Sequence, residues 1–115
     1  MKYLKVRADG THEAGEFESP VDYRLVQREV AAPDEKSPYF EVVGDDEVCI
    51  YMNENGKLLS LLANVPVTLF ARERRLIFQH DVVVGDCLIT GPADDEGYAT
   101  DVTPEIVRQV LKHNQ

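Results

Sequence analysis

Two apolar runs, Val48–Met52 and Leu58–Leu62, flank the segment Asn53-Glu54-Asn55-Gly56-Lys57. Asparagine and glycine best tolerate a positive φ, so Asn55-Gly56 permits a tight reversal at little cost. The preceding run, Glu-Val-Cys-Ile-Tyr-Met over 47–52, is rich in β formers. The spacing predicts an antiparallel hairpin over about 47–61. Two apolar ribbons laid side by side need a cover.

The cover is legible near the other end of the chain. Thr103-Pro104-Glu105 combines a hydroxyl cap, a proline at the first helical position and an acid in the first turn. Ile106, Val107, Val110 and Leu111 then form one apolar stripe, with Lys112 and His113 at the end that favours positive charge. A helix over about 104–113 is too short to stand alone and must dock on the sheet.

The remaining elements follow from local signals. Tyr3–Arg7 alternates Leu4 and Val6 with Lys5 and Arg7, as a half-buried strand does, and Asp9-Gly10 ends it in a turn. Residues 11–18 carry Glu13, Glu16 and Glu18 with little apolar content and read as a solvated loop. Ser19-Pro20, with Asp22 three residues after the serine, signals a helix over about 20–30 that buries Val21, Leu25, Val26 and Val30. Its β-branched residues also fit an extended segment. Pro33 and Pro38 bracket a surface loop, and Tyr39–Val43 is a strand that turns at Gly44-Asp45-Asp46. Asn64 can cap a helix from Val65 to about Arg72, with Pro66 in its first turn, although an extended segment fits there too. Leu76-Ile77-Phe78 reads as a short strand or buried loop. Val82–Thr90 reads as a strand interrupted at Gly85-Asp86. The sum is one α+β domain: a small mixed, mostly antiparallel sheet with a central hairpin, packed by two or three short helices including a C-terminal one.

The 115 residues suit one domain, and the 43% that are apolar suffice for one core. The formal charge is −9, with 7 bases against 13 acids in residues 1–57. Such a field repels a phosphate backbone, so direct nucleic-acid binding is not expected and a protein partner with a basic face is. A monomer or a weak homodimer is expected. Cys49 and Cys87 each lie in an apolar run and read as small buried hydrophobes rather than as a disulfide. No stretch reaches the length of a membrane span, and MKYLKVRADG has no apolar core of signal length, so the cytoplasm is the expected location.

No residue set reads as an active site. Asp94-Asp95-Glu96-Gly97, with Asp101 beyond, lacks the alternating ligand pattern of a calcium loop and reads as an acidic turn shaped by Gly97. His12, His80 and His113 are far apart. His80-Asp81 could pair a base with its orienter, but no nucleophile is placed beside them. Arg72, Arg74 and Arg75 form the one basic cluster and read as a charged helix end. Catalytic residues, metal ligands and cofactors are therefore assigned to none, and whether the chain is an enzyme stays open.

Three functions fit. The first is a non-enzymatic interaction or regulatory domain with a solid core, no deep pocket and an exposed acidic or apolar patch. The second is a small-molecule binding domain, nucleotide-like in ligand, or a minor enzyme; it requires Glu54, Lys57, Asn64 and Arg72 to converge. The third is an acidic decoy for a nucleic-acid-binding protein, with its carboxylates in a regular line.

The order of turns resembles an uncharacterised family, domain of unknown function 3846, found in phages, plasmids and bacteria, many actinobacterial. The resemblance runs over about residues 38–97. Pro38–Val43 (PYFEVV) resembles its glycine-aromatic-isoleucine-glutamate strand, with Glu41 on the glutamate. Asn53, Glu54, Gly56 and Lys57 fall on its NEEGK turn, from which Asn55 departs. Asn64 falls on a later asparagine, Gly85-Asp86 on a GD step, and Asp94-Asp95 to Gly97 on a late acidic turn. The first 37 residues diverge, although Gln27 matches a glutamine that ends a small helix. The resemblance implies a fold and a phage or mobile-element setting, and no activity.

Overall fold

A computed structural model describes residues 1–18, 22–36 and 38–113. In chain order the elements are β1 (Lys2–Val6), β2 (His12–Glu16), α1 (Tyr23–Val30), β3 (Phe40–Gly44), β4 (Cys49–Asn53), α2 (Val65–Glu73), β5 (Cys87–Thr90) and α3 (Pro104–Leu111). The strands form one sheet in the order β2-β1-β5-β4-β3, and every pairing is antiparallel. This is an α+β fold. Two hairpins, β1–β2 and β3–β4, flank β5, which joins them and is buried along its whole length.

Alternation along the inner strands divides the apolar residues between two faces. Leu4, Val6, Ile50, Met52, Cys87 and Ile89 join Val67, Phe70 and Ala71 of α2 and Ile106 and Val110 of α3. Tyr51 and Leu88 face the other way, onto Val26 and Val30 of α1. Full burial of a ring such as Phe70 stabilises by roughly 1.5–3 kcal/mol, and Phe70 is 1% exposed. Both cysteines are free, and burial raises both thiols above their ordinary value. Burial first, then Cys49 and Tyr23 beside it, pushes the Tyr51 hydroxyl up to about 12.

Each helix starts where its cap dictates. Thr103 Oγ1 accepts from the Ile106 N–H at 3.2 Å, and Asn64 Oδ1 accepts from the Val67 N–H at 3.4 Å. α1 is capped by Asp22, whose Oδ1 accepts from the Arg24 N–H at 2.9 Å. Ser19, Pro20, Val21 and Ser37 lie outside the described residues. Lys5 Nζ meets Glu29 Oε2 at 2.8 Å and ties α1 to β1.

Three expectations are corrected. Residues 12–16 are strand β2, not loop, paired from Lys2↔Glu16 to Val6↔His12. Glu13, Ala14 and Glu16 of this edge strand are exposed, so no alternation marks it. The hairpin over 47–61 does not form. β4 turns back on β3, its upstream neighbour, and residues 54–60 are a run of turns, with Leu59 N–H donating to the Asn55 carbonyl and Leu61 N–H to that of Gly56. Neither Asn55 nor Gly56 adopts a positive φ. Gly56 serves by its smallness, since a Cβ there would stand 2.7 Å from Val84 Cγ2. Finally, the strand expected over 82–90 is shortened to β5, with Val84 making a single bridge to Ala63. Gly85, at φ +80°, turns the chain between them.

Candidate functional site

A groove of about 460 Å³ opens on the α2 side of the sheet beside β3. Four short segments build it. Glu41 and Val43 come from β3; Met52, Asn53, Glu54, Lys57 and Leu58 from the end of β4 and the following turns. Arg75–Phe78 leave α2, and Asp81–Val84 lead toward β5. Leu58 and Phe78 stand at the mouth, 85% and 75% exposed. Leu76 and Ile77 are half-buried loop residues that pack on the core below. Solvent exposure of two large apolar side chains across one groove is what an interaction surface offers.

The backbone of β3 completes the site. Glu54 N–H donates to the Tyr39 carbonyl and Asp45 N–H to the Val48 carbonyl, both at 3.0 Å. Antiparallel ladders alternate, so counting inward from these two pairs, Glu41 and Val43 turn their N–H and C=O groups to β4. Phe40, Val42 and Gly44 turn theirs outward, and among the described residues no hydrogen bond fills them. The open edge and the groove are adjacent, because Glu41 and Val43 belong to both.

The groove charges are unequal. Lys57 Nζ contacts Asp81 Oδ1 at 2.5 Å, and this lysine, followed by the Val82 N–H, holds the Asp81 carboxyl below the usual range. Glu41 and Glu54 make no ion pair or hydrogen bond to a described residue through their side chains. They lie on one face as diagonal neighbours, across from Met52 and Tyr39 respectively. Arg75, also without an ion pair among the described residues, follows α2 at φ +60°. Arg75 N–H donates to Arg72 and Leu76 N–H to Ala71, the hydrogen bonds of a helix end that usually places glycine at this position.

The positions singled out from the sequence divide between groove and scaffold. Glu41, Glu54 and Lys57 reach the groove. Asn53 lines it too, but its Nδ2 donates to the Val30 carbonyl at 3.2 Å and Glu35 Oε1 at 2.6 Å, and its Oδ1 accepts from Asn55 N–H. Asn64 is fully buried away from the groove. Its Nδ2 donates to the carbonyls of Val6 and Gly85, each at 2.9 Å, joining β1, α2 and the approach to β5. Asp86 Oδ1 accepts from the Ala8 N–H at 3.1 Å. Asp94 Oδ1 accepts from the N–H groups of Glu96 and Tyr98, so the acidic stretch folds as a turn around Gly97, at φ +87°, with Asp95 exposed upon it. Arg72 donates to the Asp81 carbonyl at 2.8 and 3.0 Å. Glu54, Lys57, Asn64 and Arg72 therefore do not converge: two reach the groove and two hold the fold.

Nor do other chemistries assemble. His80 stacks on Phe78 at 5.7 Å between centroids, while the Asp81 carboxylate is taken by Lys57 and the Val82 N–H. His113 Nε2 lies 3.1 Å from Glu73 Oε2 and links α3 to α2. Among the described residues, no three His, Cys, Asp or Glu side chains cluster as metal ligands do. Among the described residues no helix is long and apolar enough to cross a membrane. Leu58 and Phe78 are groove residues that sequence reading did not single out, while Arg75 and Asp81, read there as part of a charged helix end and as a histidine's orienter, prove to line the groove. Leu58 and Phe78 sit in apolar runs indistinguishable from core.

No curated protein and no solved structure matches the chain. A family model does, over residues 1–115, and so takes in the first 37 residues as well as the stretch that carried the resemblance. The chain belongs to the family described as Domain of unknown function (DUF3846).

Proposed function

We propose that the domain is a non-enzymatic protein-interaction module that binds its partner along β3 and the groove beside it. One observation carries this reading: the outward N–H and C=O groups of Phe40, Val42 and Gly44 run alongside a groove whose mouth exposes Leu58 and Phe78. An open strand edge is a template for another chain, and proteins that leave one open beside apolar pockets use it to bind extended segments. A regulatory role in a phage or mobile-element setting accords with the family resemblance, and the two free thiols accord with a cytoplasmic location.

The test compares the two sheet edges. The immobilised domain is used for affinity capture from a bacterial extract, alongside Val42→Pro and, on the opposite edge, Ala14→Pro. Both residues have outward N–H groups by the alternation of their ladders, so proline leaves the internal pairing intact. A partner retained by Ala14→Pro and lost by Val42→Pro is the expected result. Equal capture by all three proteins, or none by the native chain, rejects the reading.

A further inference from the structure

We infer that the occupant of the β3 edge is an extended segment carrying basic residues alternating with apolar ones, an inference that rests on β3 being the interaction surface. A strand added to β3 would bond to Phe40, Val42 and Gly44 through its backbone and send alternate side chains to the two faces of the sheet. On the groove face its neighbours are Glu41 and Val43. Glu41 and Glu54 are two like charges on one wall, neither of them ion-paired among the described residues, so the residue facing them is Lys or Arg. The next groove-facing residue meets Val43, Leu76 and Ile77 and is apolar. On the opposite face the incoming strand lies beside Val42, 44% exposed, which again favours an apolar side chain.

Charge decides between this occupant and a second copy of the chain. Lys57 is engaged by Asp81, which leaves two carboxylates against Arg75 in the groove, and exposed Asp46 lies just past the end of β3. Two copies joined edge to edge would each bring a formal charge of −9. A basic segment gains from that field, where a second copy is repelled by it.

Fluorescence anisotropy with the full chain tests the inference. The probes are the labelled peptide Lys-Thr-Leu-Val-Lys-Thr-Lys and its reverse sequence, which cover both strand directions. At least one should bind. Binding should weaken at least about tenfold on Glu41→Lys combined with Glu54→Lys, and again with glutamates in place of the peptide lysines. Methylating the backbone nitrogen of the peptide valine removes a ladder donor without touching the protein, and should reduce binding in at least one direction. Leu58→Ser with Phe78→Ser, both at exposed positions, should weaken it while leaving the thermal melt unchanged.

Equal binding of the acidic peptides overturns the inference. So does a native chain that sediments as a dimer and becomes monomeric on Val42→Pro, since the occupant is then a second copy. If no peptide binds but Val42→Pro still abolishes capture from extract, the basic-strand inference fails while the interaction reading stands. Failure of both experiments removes both.

Discussion

β2 and β3 are the two outer strands of one sheet, and they treat their open edges in opposite ways. In β2 every residue but Gly15 is exposed, and acids crowd the strand. Glu13 pairs with Arg7 at 2.7 Å, and Glu16 and Glu18 stand beside it. A chain that paired here would find charge and water on both faces, which is how natural edges are blunted. In β3 the outward groups of Phe40, Val42 and Gly44 are unfilled among the described residues, Val42 is exposed, and Leu58 and Phe78 flank the groove next to it. On the proposed reading, an open ladder becomes a binding surface only where the side chains around it also gain by being covered.

The contrast can be broken most forcefully at the anchor both halves share. Asn64→Leu leaves the Val6 and Gly85 carbonyls buried without their donor, and should cost about 2–4 kcal/mol by urea unfolding, disordering both edges together. A loss below about 1 kcal/mol would show that the amide is not the anchor. Arg74 acts on one side only. It donates to Asp45 Oδ2 at 2.9 and 3.1 Å and to Gln109 Oε1 at 3.2 Å, joining the β3–β4 turn to α3. Arg74→Ala should cost about 1–3 kcal/mol. It should speed amide exchange at Glu47 and Val48 while the Arg7–Thr11 turn stays protected.

Acid should sharpen the same asymmetry. Burial raises the Asp45 carboxyl, but the Glu47 N–H, the Arg74 guanidinium and the Val48 N–H outweigh it and hold the group below the usual aspartate range. The stabilisation is complete above the unfolded aspartate value of about 3.9 and is lost as pH falls through the lower folded one. Asp45→Asn should therefore flatten the fall in the urea midpoint between about pH 5 and about pH 2. A slope unchanged from the native chain would exclude Asp45 as its source.

Smaller effects separate stability from binding. Arg75→Gly relieves a non-glycine residue at φ +60° and should raise stability by about 0.5–1 kcal/mol in the same urea measurement. At the blunted edge, Arg7→Ala breaks a pair whose side chains are 30% and 52% exposed, and should change stability by about 0–1 kcal/mol with no effect on peptide anisotropy.

Caps were legible because their chemistry is local: Asn64 and Thr103 stand where the sequence places them, and α2 and α3 follow. Strand pairing was not. Asn55-Gly56 is a sound turn signal, yet β4 already has a neighbour on each side, β3 and β5, and nothing is left for residues 58–62 to pair with. Leu58, Leu59 and Leu62 consequently reach the surface. β2 was hidden for the converse reason: with both faces wet, it carries no apolar period to read. Of the candidate site, Glu41, Glu54 and Lys57 came from the family resemblance. The groove itself arises only when residues 41–43, 52–58, 75–78 and 81–84 are brought together, and no spacing along the chain encodes that.

The central position of β5 has a consequence for how the molecule comes into being. Cys87–Thr90 follows the segments of both hairpins in the chain, so neither hairpin can have its inner neighbour until that stretch is made. Only a four-residue stretch made late in synthesis unites Leu4 and Ile50 under a common roof. Without it the two hairpins share no strand, and non-local pairing of this kind folds slowly and is exposed to aggregation while it is incomplete.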